Sequence, residues 1–288
     1  MIKVYHPMPK FTALERIWRG LYTFAPDEVV YVNRAENADI QIVDFIGQNW
    51  NYANIISTHE LELLPRIKRY ILLVHTTGHY GVDYTLLIKN ALAVVSYIPP
   101  RYCAFRGRIN WDVYEEKLIL TPWGVNPNAF YPVEGINRDI DLLFTGGDCR
   151  QELVDKIDSV CSGINCLHFG PKPNCEIKLQ TVGMVPDEEL NLLYNRAKFV
   201  VSVRLYCGFE MPLVEGAFAN AMPIAPSLPV YRYWYEGIAE FFDVDNPSTI
   251  REIVTKGYRK PDRETYLAKF SDKVVYPRIW REIIERIK

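Results

Sequence analysis

The sequence predicts an α/β protein of two Rossmann-like domains, each with a parallel sheet, on three observations. Its amino-terminal half alternates short apolar strands with stretches of helical periodicity, the pattern of a parallel sheet with crossover helices. Some of those strands are apolar runs, as at 71–74 and, with Ser96 alone polar, 91–97, which suits strands covered on both faces. A cluster of chain punctuators, Pro122, Gly124 and Pro127, then precedes a second series of strands and helices, as a domain junction would. With 288 residues, 49% of them hydrophobic, the chain can bury cores for two domains of ordinary size.

Taken in order, residues 2–5 read as a strand, 13–22 as a helix and 29–32 as a second strand. Further strands are expected at 40–45, 70–74 and 91–97, with 61–69 helical. After the first strand the chain runs Tyr5-His6-Pro7-Met8-Pro9-Lys10, with no glycine-rich fingerprint, so a dinucleotide cofactor is not expected there. A short strand opens the junction segment 117–132. Residues 140–144 begin the second domain as a strand, and Gly146-Gly147 at its end permits close backbone approach. In 181–197, Leu190, Leu193, Tyr194 and Ala197 carry the spacing of a helix that faces a core. A closing amphipathic helix is expected over 276–287. The domains predicted are therefore 1–132 and 133–270, with 271–288 as a closing segment.

Composition excludes several classes. A formal charge of −2 gives no whole-chain attraction for nucleic acid, and the local basic cluster Arg101, Arg106 and Arg108 reads as a solvated loop rather than a phosphate track, with an acceptor site as the alternative. The six cysteines form no C-x-x-C pair, and a chain of this size does not need disulfides, so reduced thiols and a cytoplasmic setting are expected. No apolar run is long enough to span a bilayer, which leaves peripheral membrane contact as the form such contact would take.

The chemistry concentrates in FVVSVRLYCGFEMPLVEGAFANAMPIA, residues 199–225. A buried strand at 199–203 leads to a turn at Gly208, and Pro212 suits the first turn of a helix, where its missing N–H is no loss. The helix should run over 212–220, with a further strand at 222–225. In such sheets ligands bind outside the carboxyl ends of the strands, where helix N-termini offer free N–H groups. Glu210 lies in the turn and Glu215 one turn into the helix. By themselves these two acids fit a ligand site and a solvated, dipole-favoured helix start about equally. The other suggestive segment is ILLVHTTGHYG, 71–81, where a strand runs into His75 and His79. Its glycines disfavour a helix, and no third group has the spacing of a metal ligand.

The 199–225 stretch resembles the signature of retaining glycosyltransferases of family four, E-G-F-G-x-P-x-x-E. Gly208, Phe209, Pro212 and Glu215 match, whereas the first Glu is Cys207 here and a family glycine is Glu210. Residues 117–132, KLILTPWGVNPNAFYP, resemble the family's I-P-N-G-V-D-x-x-x-F-x-P segment, and 181–197 resembles its G-x-V-x-x-x-E-L-x-x-x-Y-x-x-A segment. The resemblance implies a GT-B fold, two Rossmann-like domains facing an interdomain cleft, in the abbreviated form of bacterial and phage gene sets. It implies transfer of a sugar from a nucleotide-sugar donor to an acceptor hydroxyl with retention, without cofactor or metal. The acceptor stays open among saccharide, lipid-linked sugar, protein and modified nucleic acid.

Residue by residue, the resemblance assigns Glu215 to the ribose and Gly183 with Met184 to the nucleobase. It assigns Glu210 to the sugar, in place of the family glutamate whose position Cys207 occupies. Gly208 and Phe209 go to the donor turn and Gly146 with Gly147 to the diphosphate. The family's Arg and Lys after that strand are Gly147 and Glu152 here, so Arg150 and Arg204 stand as substitutes. His75 faces sugar and acceptor, with His79 second to it. A noncatalytic sugar-nucleotide-binding protein and a nucleotide-sugar epimerase of the same architecture remain as alternatives.

Overall fold

The computed structural model describes residues 1–8, 12–45, 69–75, 83–100, 108–145, 155, 157, 160–170, 178–205 and 208–288. The chain divides into two compact units, Met1–Gly124 with Asp272–Lys288, and Val125–Ser271.

The first unit is a six-stranded parallel sheet. Its strands are β1 (Ile2–Tyr5), β2 (Val29–Tyr31), β3 (Ile40–Phe45), β4 (Tyr70–Val74), β5 (Ala93–Ser96) and β6 (Leu118–Leu120), in the spatial order β2-β1-β3-β4-β5-β6. Every residue of β4 and β5 is buried, as strands covered on both faces require. The chain leaves β1 for β2 on one side and resumes at β3 on the other, so the topological switch point lies between β1 and β3. Helix α1 (Thr12–Thr23) precedes β2, and α2 (Thr85–Asn90) and α3 (Trp111–Lys117) flank β5. Asn110 caps α3 by accepting from the backbone N–H groups of Asp112 and Val113.

The second unit repeats the plan with β7 (Ile140–Thr145), β8 (Cys166–Phe169), β9 (Gln180–Thr181), β10 (Ala197–Ser202), β11 (Met222–Pro226) and β12 (Glu240–Phe242), ordered β12-β11-β10-β7-β8-β9. All its pairings are parallel, and its switch point falls between β7 and β10. Alternate residues such as Leu142, Phe144, Phe199, Val201 and Ile224 build one core face. The helices are α4 (Asp187–Arg196), α5 (Met211–Phe218), α6 (Pro229–Tyr235), α7 (Thr249–Thr255) and α8 (Arg263–Phe270). Helix α5 packs on the other face, where a Cβ on Gly216 would come within 2.5 Å of Val200 Cγ1. It stops near Asn220, which takes a left-handed φ of 66°. The Arg138 guanidinium donates to the carbonyls of Tyr194, Ala197 and Ala219, tying α4, β10 and the end of α5 together.

The last helix, α9 (Asp272–Ile287), belongs to the first unit. It begins earlier than the sequence suggests because Pro277, which reads as a first-turn residue, lies inside it. Trp280 Nε1 donates to Leu21 O at 2.8 Å, and the Tyr276 ring fills the space beside Gly20 so closely that a Cβ there would lie 2.0 Å from it.

One expectation about the cysteines is corrected. Cys161 and Cys166 are paired as a disulfide across the turn entering β8, their Cα atoms 5.8 Å apart, so the reduced-thiol reading does not hold for that pair. Its cause is local: a tight turn brings two cysteines five residues apart together, which composition does not reveal. Among the described residues no helix is long and apolar enough to cross a membrane, and no group of histidines, cysteines and carboxylates could hold a metal ion.

Candidate functional site

In the second unit, the turn after β10 lies at the switch point, the position where α/β sheets of this kind accept ligands. Gly208 has φ of +86°, a conformation that favours glycine, and Val230 Cγ2 lies 2.2 Å from where its Cβ would be. The backbone there admits no other residue without strain. Glu210 follows as the N-cap of α5, with its side chain 5% exposed. Burial pushes its carboxyl pKa up, partly offset by the nearby charge and hydrogen bond of Arg204. The Arg204 guanidinium stands 3.5 Å from Glu210 Oε1, so these two predicted site residues come together.

Helix α6 braces this turn. The Tyr235 hydroxyl accepts from Glu210 N and donates to Glu210 O, both at 3.1 Å, and the Tyr231 hydroxyl donates to Arg204 O at 2.7 Å. Phe209 is buried against Trp234, Tyr235 and Phe270, so its side chain serves the core and only its backbone can face a ligand. Tyr231, Trp234 and Tyr235 of α6 thus pack inside the second unit.

Glu215 is 1% exposed and accepts a hydrogen bond from the Tyr194 hydroxyl of α4 at 2.9 Å. Its carboxylate is therefore held in a fixed direction by a helix-to-helix contact. Gly183, with φ of +79°, follows β9, and its carbonyl accepts from Gly170 N at 3.2 Å. Met184 beside it is 57% exposed, an apolar side chain offered to the surface at the carboxyl edge of the sheet. Gly146, Gly147 and Arg150, and also Cys207 and His79, lie outside the described residues.

In the first unit His75 follows β4, and its Nε2 lies 2.8 Å from Asp44 Oδ1. The other oxygen of Asp44, Oδ2, lies 2.8 Å from Nε2 of His6, which follows β1. The Asp44 and His6 side chains are 3% and 1% exposed. Burial alone would raise the Asp44 pKa, but the charges of and hydrogen bonds from His6 and His75 outweigh it and hold the carboxyl far below the usual range. His75 is further fixed through its backbone, whose N–H donates to Phe45 O and whose carbonyl accepts from the Tyr97 hydroxyl, each at 2.9 Å. The Trp123 ring lies against its imidazole with centroids 5.0 Å apart.

Sequence reasoning singled out His75 and passed over His6 and Asp44, which the structure brings to it. The available signal was an aspartate inside the apolar run 40–45, where a strand buried on both faces tolerates no unpaired charge.

No protein-family model and no curated protein matches the chain. Solved structures match over its whole length. AviGT4, a glycosyltransferase involved in avilamycin A biosynthesis, aligns at TM-score 0.61 and 12% identity, covering 100% of this chain and 98% of that one. Sucrose-phosphate synthase from Thermosynechococcus elongatus aligns at 0.65 and 12%, covering 99% and 98%. HepE of Anabaena in complex with UDP aligns at 0.67 and 10%, covering 99% and 100%. At these identities the likeness is one of fold, and the chain has the GT-B fold of those glycosyltransferases, with two parallel six-stranded sheets.

Proposed function

We propose that the protein is a glycosyltransferase that uses a nucleotide-sugar donor and transfers the sugar, with retention, to an acceptor hydroxyl. The observation that carries this reading is the turn after β10. In a fold shared end to end with glycosyltransferases, the residues matching the family-four signature lie at the second unit's switch point, with Glu210 buried beside Arg204 and Glu215 aimed by Tyr194. A solved structure of HepE holds UDP and glucose, which supports a uridine donor as the first to try.

In the reaction, the bond from the anomeric carbon to the diphosphate oxygen breaks, and a bond to the acceptor oxygen forms on the same face. The acceptor proton passes to the departing diphosphate oxygen, so no metal or cofactor is needed to balance the step. Arg204 and Arg150 would stabilise the charge developing on the leaving group, with Gly146 and Gly147 as its backbone cradle. Glu215 would hold the ribose, the Gly183–Met184 backbone the base, Glu210 the sugar, and His75 the sugar on the acceptor side.

The test is a panel of nucleotide-sugars incubated with the full chain, with release of nucleoside diphosphate and the anomeric configuration of any product read by NMR. Turnover with a retained product supports the proposal, and an inverted product overturns its retaining part. Cys207 in place of the family's first Glu favours a second reading, a noncatalytic sugar-nucleotide-binding protein, for which binding without turnover is the expected result. An isomerised donor would instead mark an epimerase.

A further inference from the structure

We infer that Asp44 is a positioning residue that locks His75 in its Nε2–H tautomer and so leaves Nδ1 bare, as the ring atom that can accept from a hydroxyl. The inference rests on the reaction proposed above for the identity of that hydroxyl, as one belonging to a sugar, but not for the tautomer itself.

The construction follows from strand order. Strands β1, β3 and β4 are neighbours, with the switch point between the first two. His6, Asp44 and His75 therefore meet at one edge of the sheet although they are 38 and 31 residues apart in sequence. Each Asp44 oxygen meets one Nε2 at 2.8 Å. An ionised carboxylate can only accept hydrogen bonds, so both Nε2 atoms must carry hydrogen, and a neutral imidazole then has none left for Nδ1.

His6 completes the lock. Its Nδ1 is buried with no hydrogen-bond partner among the described residues, and its backbone carbonyl accepts from Trp18 Nε1 at 2.6 Å. A histidine committed in this way fixes one Asp44 oxygen and leaves the other for His75. With its backbone bonded at both N–H and C=O and its ring lying against Trp123, His75 cannot turn Nε2 outward without breaking the pair. A bare Nδ1 accepts from a hydroxyl or amine and is mismatched to a carbonyl or phosphate oxygen. His75 therefore selects a hydroxyl-bearing group and would repel a bare phosphate oxygen while neutral.

The experiment is nitrogen-15 NMR of the imidazole rings in the full-length protein at about pH 8, above the ordinary histidine pKa, with His6→Asn and His75→Asn spectra for assignment. The expected result is that both rings are Nε2–H tautomers, and a ring found as Nδ1–H overturns the inference. Asp44→Asn offers one acceptor and one donor in place of two acceptors, so one histidine should switch tautomer. If that is His75, kcat for sugar transfer should fall about tenfold or more, the worth of a lost hydrogen bond, with KM nearly unchanged. Wild-type kinetics with no tautomer change in Asp44→Asn would also overturn it. Should that variant not fold, the wild-type spectra decide the point. Should the wild type transfer no sugar, the proposed reaction fails while the tautomer result still stands or falls separately.

Discussion

Replacing Glu215 tests whether it binds ribose or only holds two helices together. The carboxylate is 1% exposed and accepts from the Tyr194 hydroxyl at 2.9 Å. Glu215→Ala removes that acceptor, and a buried polar group that loses its bond costs about 1–3 kcal/mol of stability. If the same carboxylate also takes ribose hydroxyls, each bond to a charged acceptor contributes about 1.5–3 kcal/mol, so nucleotide affinity should fall about tenfold to a hundredfold for the first bond alone. Tyr194→Phe separates the two effects. It removes the helix-to-helix bond and keeps the carboxylate, so stability should fall by about 1 kcal/mol while affinity changes by no more than a few fold. Urea denaturation and calorimetric titration with UDP measure the two quantities. A folded Glu215→Ala protein that binds the nucleotide with wild-type affinity refutes the ribose assignment.

Other outcomes follow from the same geometry. Gly208→Ala forces a side chain into a left-handed φ of +86° and to within 2.2 Å of Val230, so it should cost about 2–4 kcal/mol by urea denaturation. Gly20→Ala sets a gain of about 1 kcal/mol in helix propensity against a Cβ only 2.0 Å from the buried Tyr276 ring; overpacking wins, and the melting temperature should drop. The depressed Asp44 pKa contributes stability that is present above about pH 4, the unfolded value, and lost as pH falls toward the folded one. Asp44→Asn should therefore flatten the acid limb of a stability–pH curve. Glu210 has the opposite sign: its raised folded pKa means stability declines as pH rises past about 4.3, so Glu210→Gln should stabilise the protein at neutral pH while impairing transfer. A neutral-pH loss of stability in that variant would show that the Arg204 contact outweighs burial.

Legibility differed sharply between fold and site. The strand Tyr70–Val74 was readable because a strand covered on both faces is a continuous apolar run, and that run is visible in one dimension. Short elements such as β12 and α7 bury only a residue or two each and leave no comparable period. The positions of Glu215, after a strand and a turn, and of His75, at a strand end, were readable because sequence marks those elements. The bonds that aim them were not, because Tyr194 and Asp44 reach them across 21 and 31 residues, through a strand order that sequence does not contain. Phe209 shows that a motif position can serve packing as well as ligand contact.

The way the chain is threaded has a consequence for biosynthesis. The second unit is one continuous segment whose ends are stitched together, with Val125 N donating to Phe270 O at 2.9 Å and a bridge from Val125 to Ser271. The first unit receives Tyr276 and Trp280 from the final helix only after all of that segment has left the ribosome. The order of maturation is then inverted relative to the order of synthesis: the half made later can finish folding first, and the half made first waits with its α1 surface uncovered. Chains ending at residue 271 should therefore resist protease over 178–205 and 208–271 while remaining open to it around Gly20 and Leu21.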